Sequence, residues 1–238
     1  MNHSPEGRKE CRTLLFAGDS ITDADHLWDP GPDGLGHGYV HMISEMLKAG
    51  EVPETAGKKA DTGEASEIAE TGSREESGYH IINSGYNGYR AEDLLRRWNR
   101  ICLSRQPDLV TLLVGVNEVG ASMEGMVTEP EIFERTYERL ITEVLHNTRA
   151  DMILMEPFLF RHPAYLITWR KYFDPLLPVI SHLAEKYSLP LIRLDQPLNG
   201  LADRIGADQV TVDGIHLTEA GNRFLAEQWI KMYHQVEK

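Results

Sequence analysis

Short, unbroken apolar runs alternate along the chain with longer stretches in which apolar residues recur every three or four positions. The runs cover residues 13–17, 80–83, 109–114, 152–155 and 189–194. None keeps the apolar–polar alternation of a half-covered strand, so they read as strands buried on both faces, hence as a parallel sheet. Between the runs lie helical patterns. Tyr39, Ile43, Met46 and Leu47 share one face of a first helix, and 91–104 places Leu94, Leu95, Trp98 and Ile101 together. Residues 129–148 repeat Ile132, Tyr137, Leu140, Ile141, Val144 and Leu145, and 172–187 follows the fourth run. A last helix, starting near His216 or Thr218, carries Leu217, Gly221, Phe224, Leu225, Trp229 and Met232. Strands alternating with helices predict an α/β sandwich with right-handed crossovers. Trp98 and Trp229, on apolar helix faces, read as core.

Composition alters this picture at one place. Residues 51–78 are rich in Glu, Ala, Gly, Thr and Ser, with almost no large apolar residue besides Ile68. They hold eight acids and three bases, so five of the thirteen net negative charges lie there. Such a segment cannot bury enough to offset its ordering entropy. It reads as an acidic, low-complexity surface insertion within a single domain spanning 11–238, with 1–10 a tail. A length of 238 residues suits one sizeable domain. A net charge of −13 argues against a nucleic acid or an anionic membrane as partner. Cys11 and Cys102 are too few and too far apart for a disulfide framework and read as free thiols. The first ten residues hold no apolar leader, and no run reaches the ~18 apolar residues of a membrane span. A cytoplasmic location is expected.

Four blocks carry the candidate chemistry. Gly18-Asp19-Ser20-Ile21-Thr22 follows the first strand, where a nucleophile projects into the crevice in which open α/β sheets bind ligands. Asp213-Gly214-Ile215-His216 precedes the last helix. A serine hydroxyl needs an imidazole to take its proton, and a carboxylate on the far ring nitrogen fixes the tautomer. Residues 83–90 follow the second strand, and Gly88 can bring its N–H close to a substrate because it has no side chain. Gly115-Val116-Asn117-Glu118 follows the third strand, with the Asn117 amide as a further donor. Each block alone is an ordinary turn or cap. In this order, all four open on one sheet edge.

That ordered set resembles the SGNH hydrolases, the GDSL esterase/lipase family, over nearly the whole chain apart from the tail and the insertion. The resemblance implies a three-layer α/β/α sandwich, flavodoxin-like, with a five-stranded parallel sheet. It implies Ser20 as nucleophile, His216 as general base and acid, and Asp213 as its orienter. Ser20 N–H, Gly88 N–H and the Asn117 amide would form the oxyanion hole, supported by Asp19 and Glu118. No metal or organic cofactor is implied. Glu118 stands where the family usually has Asp, which lengthens the side chain behind the oxyanion loop. Gly18 to Asp23, then 35–40, then Arg97-Trp98, are similar to the intracellular branch that deacetylates xylo-oligosaccharides. That branch commonly has an aromatic shortly before Asp-x-x-His, where this chain has Asp208-Gln209-Val210-Thr211-Val212.

The expected reaction is hydrolysis of a small-molecule ester, with a short acyl group such as acetyl, on a carbohydrate. A short-chain thioesterase or lysophospholipase would use the same triad behind a larger apolar groove. A non-catalytic binding protein on this fold is the alternative of another class, and every catalytic position being filled speaks against it. Asp23, Asp25, His26, Asp29, Asp33, His37 and His41 crowd the stretch after Ser20, and His37 and His41 have i,i+4 spacing. The stretch lacks a complete zinc pattern and reads as a polar cleft loop. The oligomeric state is not legible, and a homo-oligomer is left open.

Overall fold

The computed structural model of the protein describes residues 11–50, 78–123 and 128–236. The predicted tail and all of the predicted insertion except Gly78 lie outside the described residues. In chain order the elements are β1 (Arg12–Gly18), α1 (Ser20–Asp23), α2 (Tyr39–Ala49), β2 (Tyr79–Gly85) and α3 (Ala91–Ile101). β3 (Leu109–Leu113), α4 (Asn117–Met123), α5 (Pro130–Asn147) and β4 (Asp151–Met155) follow. The chain then runs through α6 (Arg170–Phe173), α7 (Leu176–Lys186), β5 (Leu191–Ile192), α8 (Asp195–Ile205) and α9 (Glu219–Val236).

The five strands pair in parallel in the order β2-β1-β3-β4-β5. Their side chains alternate between two buried layers. Leu14, Phe16, Leu109, Leu113 and Ile153 pack with α2, α8 and α9. Leu15, Ala17, Val110, Leu112 and Leu154 pack with α3, α5 and α7. This is the expected three-layer α/β/α sandwich, and burial on both faces is why the strand sequences lack alternation. The one polar residue in the middle of β3, Thr111, accepts a hydrogen bond from Trp229 Nε1 at 2.9 Å, while Trp98 Nε1 donates to the Leu140 carbonyl at 3.1 Å. Both tryptophans are buried core residues, as expected, with their indole N–H groups satisfied.

Several elements differ from expectation, α1 and α4 among them, which open as helices where turns were expected. The helix expected over 172–187 is two helices, broken at Asp174-Pro175, because proline removes a backbone donor and crowds the preceding turn. The fifth strand keeps only Leu191 and Ile192, since Arg193 and Leu194 already turn into α8. α8 itself was not anticipated: Pro197, Asn199 and Gly200 depress its helical propensity, yet Leu198 and Ala202 bury one face. Both cysteines are free thiols, Cys11 exposed and Cys102 buried, where burial pushes the Cys102 pKa up to about 12. Among the described residues no helix is long and apolar enough to cross a membrane.

The strand order places the topological switch point at β1. Its neighbours β2 and β3 leave the sheet at the same, carboxyl, edge, which is where open α/β sheets bind ligands. Ser20 opens α1 directly after β1, the turn of residues 86–89 follows β2, and Asn117 opens α4 after β3.

Candidate active site

Asp19 caps α1, its Oδ1 accepting the Ile21 N–H at 3.0 Å, and this capping sets Ser20 as the first residue of the helix. Ser20 Oγ lies 2.9 Å from His216 Nε2. His216 Nδ1 lies 2.7 Å from Asp213 Oδ2, and Asp213 Oδ1 accepts the backbone N–H groups of Ile215 (2.9 Å) and His216 (2.8 Å). The nearly 200-residue separation in sequence is thus closed into one hydrogen-bonded chain. Asp213 does not cap α9; the Thr218 hydroxyl accepts the Gly221 N–H there, at 3.3 Å.

Gly214 explains how Asp213 and His216 turn to face each other. Its φ is +91°, a left-handed value, and an added Cβ would collide with Leu166 and the His162 carbonyl. The Gly214 carbonyl accepts the Phe160 N–H at 3.0 Å, which ties the motif to the segment after β4. Arg170 braces that segment, with Nη1 and Nη2 on the two oxygens of Asp195 at 2.7 and 2.8 Å and Nη1 also on the Leu159 carbonyl.

The second and third blocks meet as well. Asn117 Nδ2 donates to the Tyr89 carbonyl at 3.0 Å, which fixes the amide and leaves its second hydrogen for another acceptor. Residues 86–89 form a tight turn in which Tyr89 N–H donates to Tyr86 O at 3.1 Å and Gly88 has φ +75°. Space around Gly88 is open, so glycine is required there by its backbone angle rather than by crowding. The Ser20 and Gly88 N–H groups have no protein acceptor among the described residues. Glu118 Oε1 accepts the Ala91 N–H at 2.9 Å and so places a carboxylate at the start of α3, while Oε2 accepts from Thr128. The added methylene of Glu118 thereby joins α4 to α3, behind the turn that holds Gly88.

A cleft of about 450 Å³ opens on Ser20 and His216, walled by Asp23, His37, Asn87 and Val212 among others. Gly88 and Asn117 stand outside its lining, whereas Asn87 is in it. His37 precedes α2 and His41 lies within it, so their i,i+4 spacing is not a helical pair. They face different carboxylates, Asp29 for His37 and Asp33 for His41, each at 3.0 Å. Val212, directly before Asp213, is 74% exposed at the cleft.

Electrostatics separate the two aspartates nearest the reacting groups. Burial would raise the Asp213 carboxyl, but hydrogen bonds from the His216 ring and the His216 and Ile215 N–H groups hold it below the usual carboxylate range. Asp19, 1% exposed, is pushed up to about 7 by burial, against the Ile21 N–H and the nearby His216. Burial likewise raises Glu118, against the Ala91 N–H and the Thr128 hydroxyl.

A sequence model of the GDSL-like lipase/acylhydrolase family matches residues 16–224. The chain belongs to that family. This GDSL acylhydrolase is therefore a carboxylic-ester hydrolase by membership. It is 24% identical over 225 residues to an acetylxylan esterase of Geobacillus stearothermophilus, covering 92% of each chain. The solved structure of that organism's acetylxylan esterase Axe2 superposes with a TM-score of 0.73 at 22% identity over 94% of each chain. A putative GDSL-like lipase from Parabacteroides merdae gives 0.76 at 23% identity, covering 96% of this chain and 98% of the other. Likenesses at this identity speak to the fold. Three further solved structures are catalytic mutants of Axe2, in which a serine, an aspartate or a histidine is replaced.

Asp23 and His37 line the cleft, as the polar loop after Ser20 suggested, whereas Asn222 had no signal in the sequence. Asn222 lies on α9 and its Oδ1 caps α2 through the Tyr39 N–H at 3.1 Å. Contacts between elements so distant in the chain leave no local signal.

Proposed function

We propose that the protein is a serine esterase that removes short acyl groups, acetyl above all, from acetylated carbohydrates through an acyl-enzyme. The observation that carries the reading is the Ser20–His216–Asp213 hydrogen-bond chain in a small, largely polar cleft. Ser20 Oγ attacks the acyl carbonyl as His216 Nε2 takes its proton. Asp213 stabilises the imidazolium and holds the ring. The oxyanion is met by the Ser20 N–H, the Gly88 N–H and the free hydrogen of the Asn117 amide, donors that need no reorganisation when charge develops. His216 then returns the proton to the leaving alkoxide, and a water activated by the same imidazole releases the acid.

Cleft size and lining support the choice of ester. A volume of about 450 Å³ with Asp23, His37 and Asn87 in its wall suits an acetyl group on a hydroxyl-rich alcohol better than a long acyl chain, which needs an apolar groove. The acetylxylan esterase named among the relatives points to the same alcohol class. The test is a panel from p-nitrophenyl acetate through longer acyl esters to acetylated sugars, run on wild type and Ser20→Ala. Turnover is expected to peak at acetyl and to extend to sugar acetates. A long-chain optimum would reject the acetyl-sugar reading.

A further inference from the structure

We infer that Asp23 is a positioning residue for the reaction: its buried carboxylate holds the Asn87–Gly88 turn, and through it the Gly88 N–H, where the oxyanion forms. The inference rests on the reading of Gly88 as an oxyanion donor and adds what keeps that donor in place.

Asp23 ends α1, three residues after Ser20 and so one helical turn behind the nucleophile. It is 2% exposed. A carboxylate so buried is retained only where its oxygens are satisfied. Oδ2 accepts the Asn87 N–H at 3.0 Å, across 64 residues of sequence, and Oδ1 lies 2.7 Å from His26 Nδ1. His26 also packs edge-on against Tyr86, the first residue of the same turn, with ring centroids 6.5 Å apart.

The N–H groups of the turn show what this contact does. Tyr86 N–H donates to the Gly18 carbonyl at 3.0 Å, Asn87 N–H to Asp23, and Tyr89 N–H to Tyr86 O. Only the Gly88 N–H is left without a protein acceptor among the described residues. Its direction is set by the plane of the Asn87–Gly88 peptide, so fixing Asn87 on one side and the Tyr89 carbonyl, through Asn117, on the other fixes where that N–H points. A simple surface turn needs no buried carboxylate, because its backbone N–H groups can bond to water. The Asp23 contact instead ties the donor to the helix that carries Ser20, so that nucleophile and donor keep their spacing when substrate enters.

The test compares Asp23→Ala and Asp23→Asn with wild type on p-nitrophenyl acetate. Rates are referred to active sites titrated with a serine-reactive phosphonate, so that misfolded protein does not count. The alanine variant removes the acceptor, and kcat per site is expected to fall about 10- to 100-fold with KM within about 3-fold. Asp23→Asn keeps an oxygen for the Asn87 N–H and presents its NH2 to His26, and is expected to recover most of that loss. A merely structural role would lower the number of titratable sites and leave kcat per site unchanged. Unchanged kcat per site in Asp23→Ala, or a loss confined to KM, would overturn the inference. Asn117→Ala is measured alongside. A loss there with none in Asp23→Ala rejects the inference and leaves the oxyanion reading standing; no loss in either variant rejects both.

Discussion

The site has a reactive half and a holding half, and they treat carboxylates in opposite ways. In the reactive half, His216 and Asp213 are each almost half exposed at the side chain, 47% and 45%, and the backbone N–H groups that Asp213 accepts, from Ile215 and His216, belong to its own turn. In the holding half, Asp19, Asp23 and Glu118 are 1%, 2% and 5% exposed. Each of these three accepts a backbone N–H, from Ile21, Asn87 and Ala91 respectively. Groups proposed to take part in the reaction stay at the surface, and groups whose hydrogen bonds fix loops are buried behind them. The same side chain is thus pushed below the carboxylate range at Asp213, by hydrogen bonds to its charged form, and up to about 7 at Asp19, by burial.

The comparison is sharpest where the reactive half is cut. Ser20→Ala is expected to lose about 10⁴- to 10⁶-fold in kcat with the fold intact, and Asp213→Asn about 10⁴-fold through the wrong histidine tautomer. Steady-state turnover of an activated acetyl ester checks both; near-normal rates in either would remove that residue from the mechanism. Asn117→Ala, which deletes one donor, should lose about 10²- to 10³-fold in kcat, and unchanged kinetics would count against the oxyanion assignment. Val212→Trp places an aromatic face directly before Asp213. It should favour an acetylated xylo-oligosaccharide over p-nitrophenyl acetate by about 2- to 10-fold in kcat/KM, and an unchanged ratio would show that the lip does not meet the sugar.

Cutting the holding half should be read in stability and its pH dependence. In the native protein Asp19 ionises near pH 7, against 3.8 for an ordinary aspartate. Between those values the unfolded chain has lost its proton and the native state has kept it. The stability contributed by this group therefore falls as pH rises across that window and is level above it. Asp19→Asn removes the titration, so its urea midpoint should gain on wild type between about pH 4 and 7 and hold that gain above it. A constant difference between the two proteins would contradict the burial argument.

The residues proposed to react were legible in the sequence; of the holding half, Asp19 and Glu118 were named as supports without their partners, and the hold of Asp23 on the turn was not legible. Asp213 and His216 lie within one turn of chain, and Ser20 directly follows an apolar run, so residue type and order already state their chemistry. The contacts of Asp23 and Glu118 are made to backbone N–H groups on other elements, 64 and 27 residues away, and a backbone donor has no signature in a sequence. The same distinction holds for the fold. β1, β3 and β4 announced themselves because both faces are buried, whereas α8 was hidden by Pro197, Asn199 and Gly200, and its helix exists because Leu198 and Ala202 find a core. Pro175 broke a helix whose apolar spacing ran straight through it.

The most direct test of the central claim is mass spectrometry of the protein quenched during turnover of an acetyl ester, followed by peptide mapping. An acetyl group is expected on the peptide containing Ser20 and absent from Ser20→Ala. Turnover of an activated acetyl ester by the wild-type enzyme with no covalent adduct under rapid quench, or an acetyl group on another residue of the cleft with Ser20 unmodified, would contradict it.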